Sequence, residues 1–316
     1  LADFRQSRHN LRNLLNRGDP RRSIEGLDEL QEAHVPKPVF LLMPEWQGSS
    51  SSRAMQIAEG AALLREDLPQ SATHEIAVPL EAGDAMGTPI ARLSSVLRAR
   101  DSARRALTET EDAIPLIVGG DCATSLAGIE AARARHGDDL AVLWFDAHAD
   151  LQHPSTSPSG SASGMTLRHS LGYGSPDLSA REPLTSKQLT LVGTRAYDPE
   201  EDAEIERREI FVAPIGTPDF AAAITARLRA SGASHVYIHV DLDVLDPAEF
   251  ASVHAPVPFG LTVAQLTSAI RAAVETLPLA GGAICEFAPA DPAMAAEDLP
   301  TVLRIFAALT PGSRDA

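Results

Sequence analysis

The sequence predicts an α/β fold: a single domain built on an about eight-stranded, mainly parallel sheet with helices on both faces. Two observations carry that prediction. Short apolar runs rich in Val, Ile and Leu recur along the chain, most of them stopped by Gly, Pro or Asp, as expected of strands buried on both faces. Between them lie longer segments with apolar residues three and four apart, the spacing of one helix face. Alternating strands and helices give a parallel sheet covered on both sides.

In chain order the predicted strands are Val39 to Met43, Glu75 to Val78, Ile114 to Val118, Leu140 to Phe145, Leu189 to Val192, Glu209 to Val212, His235 to Val240 and Gly282 to Phe287. The predicted helices are Pro89 to Leu107, Ala123 to Arg135, Phe220 to Ser231, Val263 to Leu277 and Leu299 to Leu309. Thr88-Pro89 reads as an N-cap followed by Pro at the first helical position. Residues 1 to 36 stand apart. They carry Arg5, Arg8, Arg12, Arg17, Arg21 and Arg22, with Leu11, Leu14 and Leu15 at helical spacing, and are expected to form an N-terminal arm or a solvated tail. Leu151 to Leu178, rich in Ser, Gly and Pro, is expected to be a long loop with a functional role.

The formal net charge is -16. Such a surface does not suit nucleic acid, whose phosphates need Lys and Arg. It suits a small cationic substrate, and it also keeps a protein soluble. No apolar run approaches the roughly 20 residues of a membrane span, and the chain does not open on a secretory signal pattern. The only cysteines are Cys122 and Cys285, too few for a disulfide framework, so a reducing cytoplasm is expected.

Three strings carry chemistry. The strand ending at Phe145 delivers Asp146-Ala147-His148-Ala149-Asp150. Residues two apart share a strand face, so Asp146, His148 and Asp150 project together, neighbours ~6.6 Å apart along an ideal strand. That spread is wide for one ion and suits two ions about 3.5–4 Å apart. The strand ending at Val240 delivers Asp241-Leu242-Asp243-Val244-Leu245-Asp246-Pro247. Asp241 and Asp243 share a face, while Asp246 reads as a turn cap. Sites in open α/β sheets lie beyond the carboxyl ends of strands, and so many carboxylates together need cations. The third string is Gly119-Gly120-Asp121-Cys122. Its glycines permit a tight turn, and Cys122 opens a helix, where a thiol pKa is lowered; a small Cys filling space is the plainer reading.

Together the strings resemble the ureohydrolase family of arginase, agmatinase and formiminoglutamase, from about Pro38 to the C-terminus. The resemblance implies an arginase-like three-layer α/β/α catalytic domain over residues 37–316 and two divalent metal ions, manganese first. It implies Asp146 and Asp241 bridging the ions, His148 and Asp243 completing one site, and Asp150 binding the other. The family usually has His where Cys122 stands. Thiolate prefers zinc or iron, so Zn2+ or Fe2+ is also expected. Gln152-His153-Pro154 and the stretch from Ser159 through Ser161 to Gly164 resemble the arginase substrate loop, with Gln152, Ser159 and Ser161 as substrate contacts. Arginases carry a proton-shuttling His where Ser163 stands; Ser163 cannot titrate near neutral pH. His153 or His254 would have to replace it, and either can be a plain loop His. Asp198 and Glu201 fall where arginases hold the substrate's amino group, or they are helix-start acids. Glu286 falls where a carboxylate grips the guanidinium.

The implied reaction is hydrolysis of a guanidino C–N bond by a metal-bridging hydroxide, arginine giving ornithine and urea. Asp150, Glu286 and His153 are the implied catalytic residues. N-hydroxyarginine, agmatine and formiminoglutamate are the alternative substrates. An N-hydroxylated guanidine needs less proton help if its hydroxylamine portion leaves. Cys122 and Ser163 also admit a metal-binding protein that has lost catalysis. The resemblance further implies a homo-oligomer, a trimer or hexamer.

Overall fold

The computed structural model describes residues 36–110, 112–216 and 219–310. The expected N-terminal arm lies outside the described residues, apart from residue 36. Eight strands occur among them: β1 Pro38–Leu42, β2 Thr73–Glu75, β3 Ile114–Val118, β4 Leu140–Phe145, β5 Leu189–Val192, β6 Phe211–Ala213, β7 His235–Asp241 and β8 Leu279–Cys285. They form one sheet in the order β2-β1-β3-β8-β7-β4-β5-β6. Each neighbouring pair runs parallel.

The helices are α1 Met55–Asp67, α2 Leu93–Thr108, α3 Ser125–His136, α4 Thr166–Ser170, α5 Pro199–Arg208, α6 Phe220–Ser231, α7 Val263–Thr276 and α8 Pro292–Leu309. They cover both faces, and β4 shows why the sheet needs them. Ala141, Leu143 and Phe145 pack into one core with Ala61 and Leu64 of α1, Ile224 of α6, Ile270 of α7 and Val302 of α8. Leu140, Val142 and Trp144, alternating with them, pack into a second core with Ala99 of α2 and Ile129 of α3. Every residue of β4 is buried, and full burial of each large apolar side chain contributes roughly 1.5–3 kcal/mol. No described helix is long and apolar enough to cross a membrane.

Several expected boundaries moved. Pro89 does not open α2, which starts at Leu93 behind Arg92 in the left-handed conformation; the Thr88 hydroxyl instead caps a turn by bonding Ala85 O at 2.8 Å. Cys122 opens a short 3-10 turn, and α3 follows from Ser125. α8 begins seven residues before the predicted Leu299, because Asp291 caps it through Ala293 and Met294 N–H groups and Pro300 is tolerated inside it. The strand after Glu75 is displaced as well, and the predicted Glu75 to Val78 run mostly lies beyond β2. The loop from Leu151 contains a 3-10 turn at Ser163–Met165 and then α4.

α1, unmarked by any predicted element, packs Gly60 against the strand end that follows β8. A Cβ there would collide with the Phe287 carbonyl oxygen and ring. Gly60→Ala is therefore expected to destabilise the fold by about 1–3 kcal/mol through overpacking, despite alanine's better helix propensity. A thermal melt that showed Gly60→Ala as stable as the parent would contradict this packing.

Candidate metal centre

The carboxyl ends of β3, β8, β7 and β4, adjacent in the sheet, carry the candidate residues. Asp146 follows β4 and is fully buried. Its Oδ1 accepts from the His148 backbone N–H at 2.7 Å and its Oδ2 from Trp144 Nε1 at 2.9 Å. Asp243 follows β7; one carboxylate oxygen accepts from the Ala147 N–H at 3.1 Å and the other lies 2.9 Å from His148 Nδ1. Asp241 accepts from the Asp243 N–H at 2.8 Å, and its second oxygen lies 3.1 Å from Cys122 Sγ. Ligand atoms of Asp146, His148 and Asp243 all lie within 4.8 Å of one another, and so do those of Cys122, Asp241 and Glu286.

Asp150 and Glu286 complete the ring. Both have a positive φ, 51° and 67° respectively, a conformation unusual for residues with a Cβ. Strain of that kind collects at functional sites. Asp150 Oδ2 is buried with no hydrogen-bond partner. The Glu286 backbone N–H is tied to Gly120 O at 2.9 Å, which fixes the strand end against the Gly119-Gly120 turn. Gly120 sits at φ 80°, and a Cβ there would press on Thr124 and on the Met43 carbonyl, so only glycine fits.

Electrostatics marks the cluster as incomplete without cations. Burial, then Asp146, pushes the Asp150 carboxyl well up. Burial, then Asp243 and Asp146, does the same to Asp241, and burial with Asp121 and Asp243 does so to Glu286. Burial alone would lower His148, but its contacts with Asp146 and Asp243 carry it up to about 12. Burial favours neutral Asp243, yet His148 holds its carboxyl below the usual range. Acids with two imidazoles and one thiol, including a buried, orphaned carboxylate oxygen, are a donor set that divalent ions fit.

One consequence is measurable. Coordination requires deprotonated ligands, whereas burial among other acids favours the protonated forms of Asp150, Asp241 and Glu286. Metal uptake is therefore expected to release protons and to tighten as pH rises, read by titration calorimetry in buffers of different ionisation enthalpy. Uptake with no buffer dependence would defeat it.

The other predicted residues lie as follows. Cys122 reaches the cluster, but burial, with Cys285 and Asp241 next, pushes its thiol up; the lowered pKa expected at a helix start is overturned by burial among acids. Gln152 Oε1 accepts from Ser157 at 2.7 Å, and Ser159 Oγ accepts from the Ser161 N–H at 3.1 Å. Ser161 donates to Gly48 O at 2.7 Å and shares a 2.9 Å contact with Ser163. His153 turns to Ser155 at 2.8 Å in an exposed turn, and no hydrogen bond ties it to the buried acids. His254 is different: its side chain is 5 % exposed, both ring nitrogens lack partners, and Nδ1 lies 3.9 Å from Glu286 Oε2. Asp198 caps α5 through Glu200 and Glu201 N–H groups, both at 2.9 Å. Glu201 accepts from Leu151 N at 2.9 Å and Asp198 N at 3.0 Å, so these two acids serve the local backbone.

Sequence reading passed over three residues. Glu45, buried beside Asp121, has an unpartnered oxygen. Arg195 donates to six backbone carbonyls around the end of β7. His239, inside β7, has a signal that was available: the two-residue period that aligns Asp241 and Asp243 aligns His239 with them.

A parallel α/β sheet with Asp, His and Cys donors gathered at adjacent strand ends is the layout of a metal centre. The Arginase family profile matches residues 47–299, and the chain belongs to that family. It is 32% identical over 273 residues to the N(omega)-hydroxy-L-arginine amidinohydrolase of Streptomyces lavendulae, an alignment covering 83% of this chain and 94% of that enzyme. With the arginase of Bacillus caldovelox it shares 33% identity over 157 residues, 47% of this chain and 52% of that enzyme, so this match spans about half that enzyme's length. Among solved structures, Entamoeba histolytica arginase superposes with a TM-score of 0.75 at 22% identity, covering 86% of this chain and 98% of that one.

Proposed function

We propose that the chain hydrolyses a C–N bond of a guanidino compound, with arginine as the first candidate substrate. The supporting observation is the cluster of Cys122, Asp146, His148, Asp241, Asp243 and Glu286, all but His148 largely buried, with the buried Asp150 nearby. Asp146 and Asp241 would serve two ions, with His148 and Asp243 at one of them and Cys122 and Asp150 at the other. What divalent ions supply when bound is acidification of a water, and hence a nucleophile at neutral pH. The protein's part is positioning and proton traffic. Glu286, held at the strand end by Gly120, accepts two N–H bonds from the planar cation. Asp150, with its free Oδ2, takes the proton and delivers it to the departing amine. Burial keeps competing water out and strengthens each charge contact.

A second reading keeps the site and changes the substrate to N-hydroxyarginine. Two observations favour it: the Streptomyces lavendulae relative is named for that substrate, and Ser163 occupies the place of a titratable His. The reducing, cytoplasmic setting we infer agrees with two buried cysteines free of disulfide, and a trimer or hexamer belongs to the same proposal.

The test begins with elemental analysis of protein purified without added metal. Ornithine release from arginine, and both ornithine and hydroxylamine release from N-hydroxyarginine, are followed after manganese loading, with agmatine and formiminoglutamate assayed by amine and amide release. Two equivalents of metal and turnover on a guanidine are expected. Bound metal without turnover on any of the four substrates would leave a catalytically silent metal-binding protein.

A further inference from the structure

His239 lies in the middle of β7, and its side chain is completely buried. Its register partner across the sheet is Trp144 of β4. The two rings stack with centroids 3.4 Å apart and planes 7° from parallel. Ser125, at the start of α3, lies 2.7 Å from Nδ1, so the hydroxyl can take that nitrogen's proton as an acceptor and leave Nε2 with its lone pair free. Nε2 points at Cys122 Sγ, 3.6 Å away. Ligand atoms of Cys122, Asp146 and His239 all lie within 4.8 Å of one another. A stacked ring, a hydroxyl anchoring Nδ1 and an Nε2 aimed at a thiol and a carboxylate are the arrangement of a metal-ligating imidazole with its supporting bond.

We propose that His239 is a metal ligand, forming with Cys122 and Asp146 a thiolate–imidazole–carboxylate site selective for a borderline-soft ion such as zinc. The second site, Asp146, His148 and Asp243, is oxygen-rich and takes a harder ion such as manganese. The two halves of the centre are thereby chemically unequal, with Asp146 common to both. Softness of ligands decides this division, since thiolate and imidazole suit zinc while carboxylates suit manganese. The imidazole missing from the Gly119-Gly120-Asp121-Cys122 turn is supplied by β7, two strands along the sheet from β3. This inference rests on the paired-metal reading above.

The probe is cobalt(II), loaded into the full chain labelled with nitrogen-15 histidine. A metal-bound imidazole gives a strongly shifted exchangeable ring N–H resonance, and a thiolate on cobalt gives a near-ultraviolet charge-transfer band. Two shifted imidazole signals are expected, one belonging to His148. The other should grow in step with the charge-transfer band, because both mark the first site. His239→Ala should remove that signal and weaken the band-carrying ion by more than about a hundredfold, beyond the 10–100-fold that loss of a supporting group commonly costs. A single shifted signal in the parent protein, abolished by His148→Ala, would overturn the assignment while leaving the paired centre intact. Failure of the parent chain to take up cobalt at all would overturn both. The measurement on the parent protein needs no variant to fold.

Discussion

Asp241→Asn is expected to abolish turnover and to lower metal affinity by more than about a hundredfold, because even groups one step removed from a metal commonly change affinity 10–100-fold. The same substitution should leave the metal-free fold at least as stable as the parent at neutral pH. The reason is a sign argument. Asp241 is buried among acids that raise its folded pKa. A group raised on folding binds its proton more tightly in the native state, so stability falls as pH climbs from the ordinary aspartate value toward the folded one. Asparagine removes that penalty. Melting curves of metal-free parent and variant at two pH values, with metal content measured alongside, check both halves. A variant that kept full turnover would defeat the assignment of Asp241, and a metal-free variant that melted far below its parent would defeat the electrostatic account.

Arg195→Ala should destabilise the fold by about 2–4 kcal/mol. The guanidinium reaches carbonyl oxygens of Gly193, Asp243, Val244, Leu245, Val257 and Pro258, the shortest at 2.7 Å. It thus ties the turn after β7, which holds Asp243, to the segment leading into α7. Alanine leaves several of those oxygens to whatever water can reach them. Arg195→Lys should recover little, since an ammonium cannot reproduce the planar fork. Denaturant midpoints would measure the loss; a change below about 1 kcal/mol would mean that solvent replaces the guanidinium freely.

The central sheet was legible because its strands are buried on both faces. β3 and β4 carry unbroken apolar runs, β5 one interrupted only by Thr190, and their predicted limits coincide with the observed ones. The edge strands were less so: Phe211 and Val212 of β6 are exposed, and two-faced burial no longer writes their pattern. α1 escaped because its apolar face is made of small residues, Gly60 and Ala61, with Ile57 and Leu64. A two-residue period singled out Asp146, His148, Asp241 and Asp243, although Asp146 and His148 lie just past β4 and Asp243 sits in a 3-10 turn over Leu242–Val244. The same period grouped Asp150 with Asp146 and His148, but Asp150, like Glu286, sits in left-handed backbone that breaks the strand's alternation. The backbone duties of Glu201 and the reach of Arg195 depend on distant loops, which spacing along the chain does not encode.

Strand order has a last consequence. The donors come from the tips of β3, β4 and β7, with Glu286 at the tip of β8, and the sequence between β4 and β7 goes out to the sheet's far edge and back. A chain that has assembled only one half of the sheet owns no complete cage. Ion capture is then a certificate that the middle of the molecule has closed. Strong retention of ions during unfolding should end in one step, when β7 parts from β4, rather than by gradual leakage.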